Sequence, residues 1–413
     1  MFDYFFKGFA FFTSISIFMI AFFRAANTGI TWDEALTYLN YVLPNIFDSL
    51  FKNQLLNNHI LNSFFIRIIN IFSQSGYNEL FIRFPNLVFY CIYMFFSFLI
   101  AKQYKNKFFV FILFIFNYYI NEFFGLARGY GMACASITGA FYFFEKWKIV
   151  RTNEKPTNFL FICFLFFCLL SVLSNSITLY IVISFLLIIN FKYKKDLLQP
   201  SYFPFYIIFF LNALHTIINS VGVGSVYSTH SIYSSIMSIP NMFSNIIYIS
   251  WLILIIFLLS FFRVIIKTKT KNDYCLLMIF FIIICLFSHI IFRRGYPVTR
   301  EMIPFYPLFV MIMASATEET PNCKTKNIFL MICTVALCFQ FVIKINLKST
   351  GDWSDNYSIR EVVYNYIGTH GIQTNKEEFR SFIDIYWKQS GNNPVVIFYA
   401  EKAELFYKNN TGE

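Results

Sequence analysis

The sequence predicts an all-α polytopic membrane protein, and three features predict it. Of the 413 residues, 57% are hydrophobic, 22% aromatic and only 13% charged, against about a quarter charged in an average soluble domain. The apolar residues gather into runs close to the ~20 residues that a membrane helix needs. Lysine and arginine crowd the connections on one side of those runs, as cytoplasmic loops do.

The runs lie near 5–23, 81–101, 108–124, 130–144, 159–173, 176–190, 203–219, 242–262, 274–292, 302–316 and 327–345. About eleven transmembrane helices are therefore expected. The runs at 130–144, 159–173, 176–190 and 302–316 are short for a perpendicular crossing, so a re-entrant segment among them stays open. With the N-terminus inside, the inner segments hold Lys7 and the basic clusters around Lys102, Lys148, Lys194 and Lys267. They carry roughly twice the Lys and Arg of the outer loops, which predicts a cytoplasmic N-terminus and an extracytoplasmic C-terminus. The net charge of +11 thus reads as topology and calls for no nucleic acid.

The nine cysteines fall in apolar runs or in an inner connection, which indicates no disulfide framework. No Cys/His spacing suggests a metal site.

Taken in order, residues 1–23 read as an uncleaved first span. Residues 24–80 form a long outer loop with apolar positions at helical spacing, Leu61, Phe64, Phe65, Ile68 and Ile69 among them. Interfacial helices are the expected content. Its first stretch, Gly29 to Tyr41, carries adjacent carboxylates, Asp33 and Glu34. Thr31-Trp32-Asp33-Glu34 fits a capping box, in which the threonine hydroxyl and the glutamate carboxylate satisfy each other's backbone amides. Glu34 thus reads either as a helix cap or as a partner of Asp33 in chemistry. The box gives Asp33 no task, and a carboxylate at membrane depth is a functional candidate by default.

Farther along stand His59 in Asn57–Asn62 and Arg83 in Arg83-Phe-Pro-Asn86. His59 gains interest from sharing a loop with Asp33, because an imidazole can hydrogen-bond a phosphate or a sugar hydroxyl. In the outer turn 121–131, Arg128 lies among glycines that let backbone approach a ligand closely; a plain alternative is snorkelling to headgroups. After the ninth run, Arg293, Arg294 and Arg300 break the charge rule in one short outer loop. Guanidinium forks suit phosphate oxygens, so a lipid phosphate is the expected ligand, with unspecific headgroup anchoring as the alternative. From 346 the chain turns polar, with helix-like segments near 355–368 and 376–389 and a strand-like run Pro394–Ala400. Two domains are expected: a transmembrane domain over 1–345, and a small outer α/β appendage over 346–413.

Together, Asp33-Glu34 after the first span, Asn58-His59, Arg83-Phe-Pro, Ala127-Arg-Gly-Tyr-Gly131 and the late basic Tyr/Pro loop resemble the GT-C fold glycosyltransferases. The likeness is to bacterial members similar to protein O-mannosyltransferases and lipid A aminoarabinose transferases. It covers most of 1–310, in pattern more than identity, and His59 departs from it, being followed by Ile60-Leu61 where many relatives have Pro-Pro. The resemblance implies a sugar taken from a polyprenyl-phosphate donor at the outer face of the bacterial cytoplasmic membrane and passed to a glycan acceptor. It makes Asp33 the base or acceptor-orienting group, with Glu34 its neighbour. Arg128, Arg293, Arg294, Arg300 and His59 would bind the donor phosphate, and Arg83, Tyr130 and Tyr296 would support the site. A looser likeness to serotype-converting glucosyltransferases points to O-antigen, a lipopolysaccharide component, as acceptor. No cofactor is implied; a divalent cation is left open.

The residue types suit that chemistry on their own terms. Displacing a lipid phosphate from an anomeric carbon needs a carboxylate to take the acceptor's proton. It also needs cations for the charge growing on the leaving phosphate. A single base with no second acid suggests direct, inverting transfer. A polysaccharide polymerase or flippase, which also handles polyprenyl-linked glycans, remains the alternative; a flippase would be expected to carry charges within its spans, and here they lie at span ends.

Overall fold

The computed structural model describes residues 2–43, 59–72, 78–152, 158–193, 200–223, 247–268, 272–292, 299–319, 324–345, 347 and 398. Among these residues the chain is helical, with no strand. In order run α1 (Phe2–Asn27), α2 (Trp32–Thr37, continued by a π turn Tyr38–Val42), α3 (Ile60–Phe72), α4 (Glu79–Ala101), α5 (Lys107–Ile115), α6 (Tyr118–Phe124) and α7 (Gly129–Thr152). There follow α8 (Asn158–Ser174), α9 (Leu179–Tyr193), α10 (Phe203–Val223), α11 (Ile247–Thr268), α12 (Asp273–Phe292), α13 (Tyr306–Glu319) and α14 (Lys324–Lys344).

Helix falls on each of the apolar runs, because residues with no water to bond their backbone satisfy it within the segment. Fewer helices than runs qualify as crossings by themselves. Among the described residues five are long and apolar enough to cross a membrane: Phe2–Asn27, Glu79–Ala101, Ser176–Tyr193, Asp273–Ile290 and Lys326–Lys344. The number rises to six if the bent pair α5 and α6 is one span. Other runs fall short for visible reasons. The run at 130–144 continues into the charged end of α7, which holds Glu145, Lys146, Lys148 and Arg151, and α8 has only 17 residues. The expected α/β appendage over 346–413 lies outside the described residues but for 347 and 398.

The chain divides into two compact units. The larger comprises Met1–Phe18, Phe89–Phe123 and Gly129–Ile345; the smaller, Met19–Val88, Phe124–Arg128 and Asn346–Glu413. In the larger unit, rings fill the space between helices. Phe141, Phe144, Phe164 and Phe185 meet with centroids 5.1–5.7 Å apart. Such pairs contribute about 0.5–1.5 kcal/mol each beyond their area. The opposite surfaces remain apolar and exposed, as at Phe11, Phe12, Phe210, Leu259 and Ile266. A water-facing surface of this kind would be costly, whereas acyl chains cover it without loss.

The 55° bend between α5 and α6 has a local cause. Asn121 Nδ2 donates to the carbonyls of Ile115 and Asn117 at 2.8 and 2.7 Å, and Asn117 Oδ1 accepts from the Ile120 amide at 3.1 Å. Two asparagines thus satisfy backbone that the break would otherwise leave bare. Elsewhere Asp273 at the start of α12 accepts from Lys148 of α7 and Lys192 of α9 at 2.7 and 2.6 Å, and so ties three helix ends together.

Gly139 sets the approach of α7 to α8. A Cβ there would stand 2.5 Å from Phe167 Cδ1, and that ring is hemmed by Phe96 at 4.9 Å and Phe143 at 5.4 Å. Gly139→Ala is therefore expected to cost about 1–3 kcal/mol by overpacking, read as a lowered melting temperature in detergent. An unchanged melting temperature would mean that Phe167 swings aside freely.

Candidate functional site

The smaller unit holds the candidate site. It begins where α1 ends, with Thr28 O–H donating back to the Arg24 carbonyl at 2.8 Å. Thr31 then opens α2 in extended backbone geometry. Its hydroxyl accepts from the Glu34 amide at 3.2 Å, while its own amide donates to Glu34 Oε2 at 2.9 Å. The capping box read from the sequence is present.

Glu34 has a second task. Arg83, in the first turns of α4, donates from Nε to Oε1 at 2.8 Å and from Nη2 to Oε2 at 2.7 Å. Both side chains are fully enclosed. The remaining donors of the guanidinium reach the carbonyls of Ala25, Thr28 and Gly29 at 2.8–3.0 Å and Thr28 Oγ1 at 2.8 Å. One arginine thereby fixes the end of α1, the loop to α2 and the α2 carboxylate. Only a planar, five-donor group can do this.

The same carboxylate positions the turn that carries Arg128. The Ala127 amide donates to Glu34 Oε1. The Ala127 carbonyl accepts from Asn62 Nδ2 of α3 at 2.9 Å, and Asn62 Oδ1 accepts from Asn86 Nδ2 of α4 at 2.8 Å. Both backbone polar groups of Ala127, the residue before Arg128, are thus bonded to buried side chains of α2 and α3, and the α3 asparagine is itself held from α4.

On this framework Arg128 Nη2 stands 3.2 Å from Asp33 Oδ2. The Arg128 side chain is fully buried, while 12% of the Asp33 side chain stays accessible. That contrast separates the two adjacent acids. Glu34 spends its oxygens on Arg83, Thr31 and Ala127; Asp33 meets the buried Arg128 and keeps part of its side chain accessible. The structure therefore unites Asp33 and Arg128, which the sequence offered for different roles.

His59 belongs to the same unit, buried just ahead of α3, where its carbonyl accepts from the Ser63 amide at 3.0 Å. Tyr130, in the first turn of α7, and Arg300, in a 3₁₀ turn spanning Thr299–Phe305, belong to the larger unit. Tyr130 packs edge-on against Phe123 at 5.5 Å. Arg293, Arg294 and Tyr296 lie outside the described residues. Asn62 and Asn86, the links to the Arg128 turn, stood in the two motifs noted from sequence, but nothing there paired them. Among the described residues no group of His, Cys, Asp and Glu could hold a metal ion, and the described cysteines are free thiols.

Burial alone would raise the Glu34 carboxyl, but the Arg83 charge, its hydrogen bonds and the Ala127 and Thr31 amides outweigh it. The group is held below its usual 4.5. A carboxyl with a depressed folded pKa lends stability above its unfolded value and loses it as the pH falls through the folded one. Stability in detergent is expected to hold above pH 4.5 and to fall progressively below it. Glu34→Gln should remove that acid-dependent component; an identical acid profile in the variant would assign it to another group.

No family model, curated protein or solved structure matches this chain.

Proposed function

We propose that the chain is a GT-C-type membrane glycosyltransferase that moves a sugar from a polyprenyl-phosphate donor to a glycan or lipid-linked acceptor. The reading places the reaction at the outer face of the bacterial cytoplasmic membrane, with surface polysaccharide such as O-antigen as the acceptor class. It takes the apolar runs as about eleven spans, with residues 346–413 outside.

One observation carries the reading: a carboxylate, Asp33, whose side chain stays 12% accessible, set 3.2 Å from a fully buried arginine, Arg128, shortly after the end of the first apolar helix. The acceptor hydroxyl gives its proton to Asp33 as its oxygen bonds the anomeric carbon. The bond from that carbon to the phosphate oxygen breaks, and its electron pair leaves with the phosphate. Arg128 lies beside the carboxylate, so a donor phosphate at the same place would share its guanidinium and be stabilised as charge develops. The base contributes about 10²–10⁴-fold. The phosphate needs no proton to depart, so a second acid is unnecessary and the anomeric centre inverts.

A panel of labelled polyprenyl-phosphate sugars, added to membranes with and without the protein, tests the proposal. Protein-dependent label in cell-envelope glycan from at least one donor is the expected result. No transfer from any donor, with lipid-linked glycan instead changing side or length, would favour a flippase or polymerase.

A further inference from the structure

Within the larger unit, the start of α1 and the end of α4 enclose a groove of about 590 Å³, within the ~300–1,000 Å³ typical of small-molecule sites. Phe11, Ile15 and Phe18 form one wall, and Met94, Phe95 and Phe98 the other. The charged lining residues are Lys7, near the start of α1, and Lys102, just past the end of α4. Phe6, beside Lys7, stacks on Phe98, one turn before Lys102, with centroids 5.6 Å apart, which places the two lysines at the same end. Asp3 is ion-paired with Lys107; among the described residues neither Lys7 nor Lys102 is in an ion pair.

Length identifies the occupant. From Lys7 to Phe18 on α1, and from Lys102 back to Cys91 on α4, the helical rise gives about 17 Å. A bilayer's hydrocarbon core is ~30 Å thick, so the groove is one leaflet deep. Apart from Ser14 its walls are apolar over that depth, and its cations sit at the headgroup end. A helix of a partner protein would need a seam through both leaflets and no cation pair at one end. We infer that the groove seats an acyl chain of an anionic phospholipid, with the headgroup phosphate between Lys7 and Lys102. The basic end marks this as the cytoplasmic leaflet, where anionic lipids concentrate. The inference needs only a membrane-embedded chain and stands apart from the sugar chemistry.

Native mass spectrometry of the delipidated full chain tests it, with phosphatidylglycerol and phosphatidylcholine of identical tails as probes. The wild type should retain phosphatidylglycerol preferentially, and Lys7→Gln and Lys102→Gln should each cut that preference about fivefold. Ser14→Phe, which fills the groove and leaves both lysines, should lose the retained lipid while eluting as wild type on size exclusion. Equal retention of the two lipids would overturn the inference, as would a preference that survives the double lysine variant. Binding undisturbed by Ser14→Phe, or displaced as well by soluble glycerol phosphate, would show a headgroup contact without a seated tail. Dimers in place of lipid adducts would give the groove to a second copy instead.

Discussion

Asp33→Asn is expected to abolish sugar transfer, with a rate loss of about 10²–10⁴-fold, the usual contribution of a positioned general base. Asparagine is nearly isosteric but cannot take a proton. The substitution also leaves Arg128, whose side chain is fully buried, without its carboxylate, so some stability should be lost as well. Asp33→Glu separates the two effects. It keeps the charge beside Arg128, so the fold should survive, while the reacting oxygen moves by about a methylene. Misplacement on that scale costs roughly 10²-fold in rate. Activity per folded molecule, with the folded fraction taken from size exclusion, reads both variants. Full activity in Asp33→Asn would remove Asp33 from the chemistry.

Arg83→Met is expected to produce the largest loss of stability, about 3–5 kcal/mol, because it strands a fully buried carboxylate. Glu34 would keep its two backbone donors but lose both bonds from the guanidinium. Arg83→Lys should rescue little, since an ammonium cannot span a bidentate carboxylate and the carbonyls of Ala25, Thr28 and Gly29 together. Glu34→Gln should weaken the protein for the reciprocal reason. The double variant Glu34→Gln with Arg83→Met should be less damaged than the sum of the two, as removing both charges avoids an uncompensated one. Thermal unfolding in detergent measures all of these. Strict additivity would show that the pair does not act as one.

The sequence makes legible what is contiguous. Apolar runs specify helices because the backbone of a membrane segment has no other way to satisfy itself. The box from Thr31 to Glu34 is readable because it closes within four residues. Arg83 is different. It lies 49 residues from Glu34, and an arginine ahead of an apolar run looks the same whether it pairs inward or meets headgroups. The Ala127 amide is less legible still, since every backbone offers one. Asp33 and Arg128 each stood out from their surroundings, yet their pairing depends on Asn62 and Asn86 holding the intervening turn. Among the described residues five or six helices qualify as crossings by length and composition, fewer than the runs, where charged residues or short helices interrupt a run, as at the end of α7 and in α8. Composition within a window does not register whether a segment crosses, bends or turns back.

The unity of Asp33 and Arg128 at the reacting centre can be measured by a double-mutant cycle on the transfer rate: Asp33→Asn, Arg128→Gln and both together. If the pair acts as a unit, each single variant and the double lose activity to nearly the same extent, because removing one member already disables the other. Losses that multiply, or an Arg128→Gln enzyme that transfers at the wild-type rate, would contradict it.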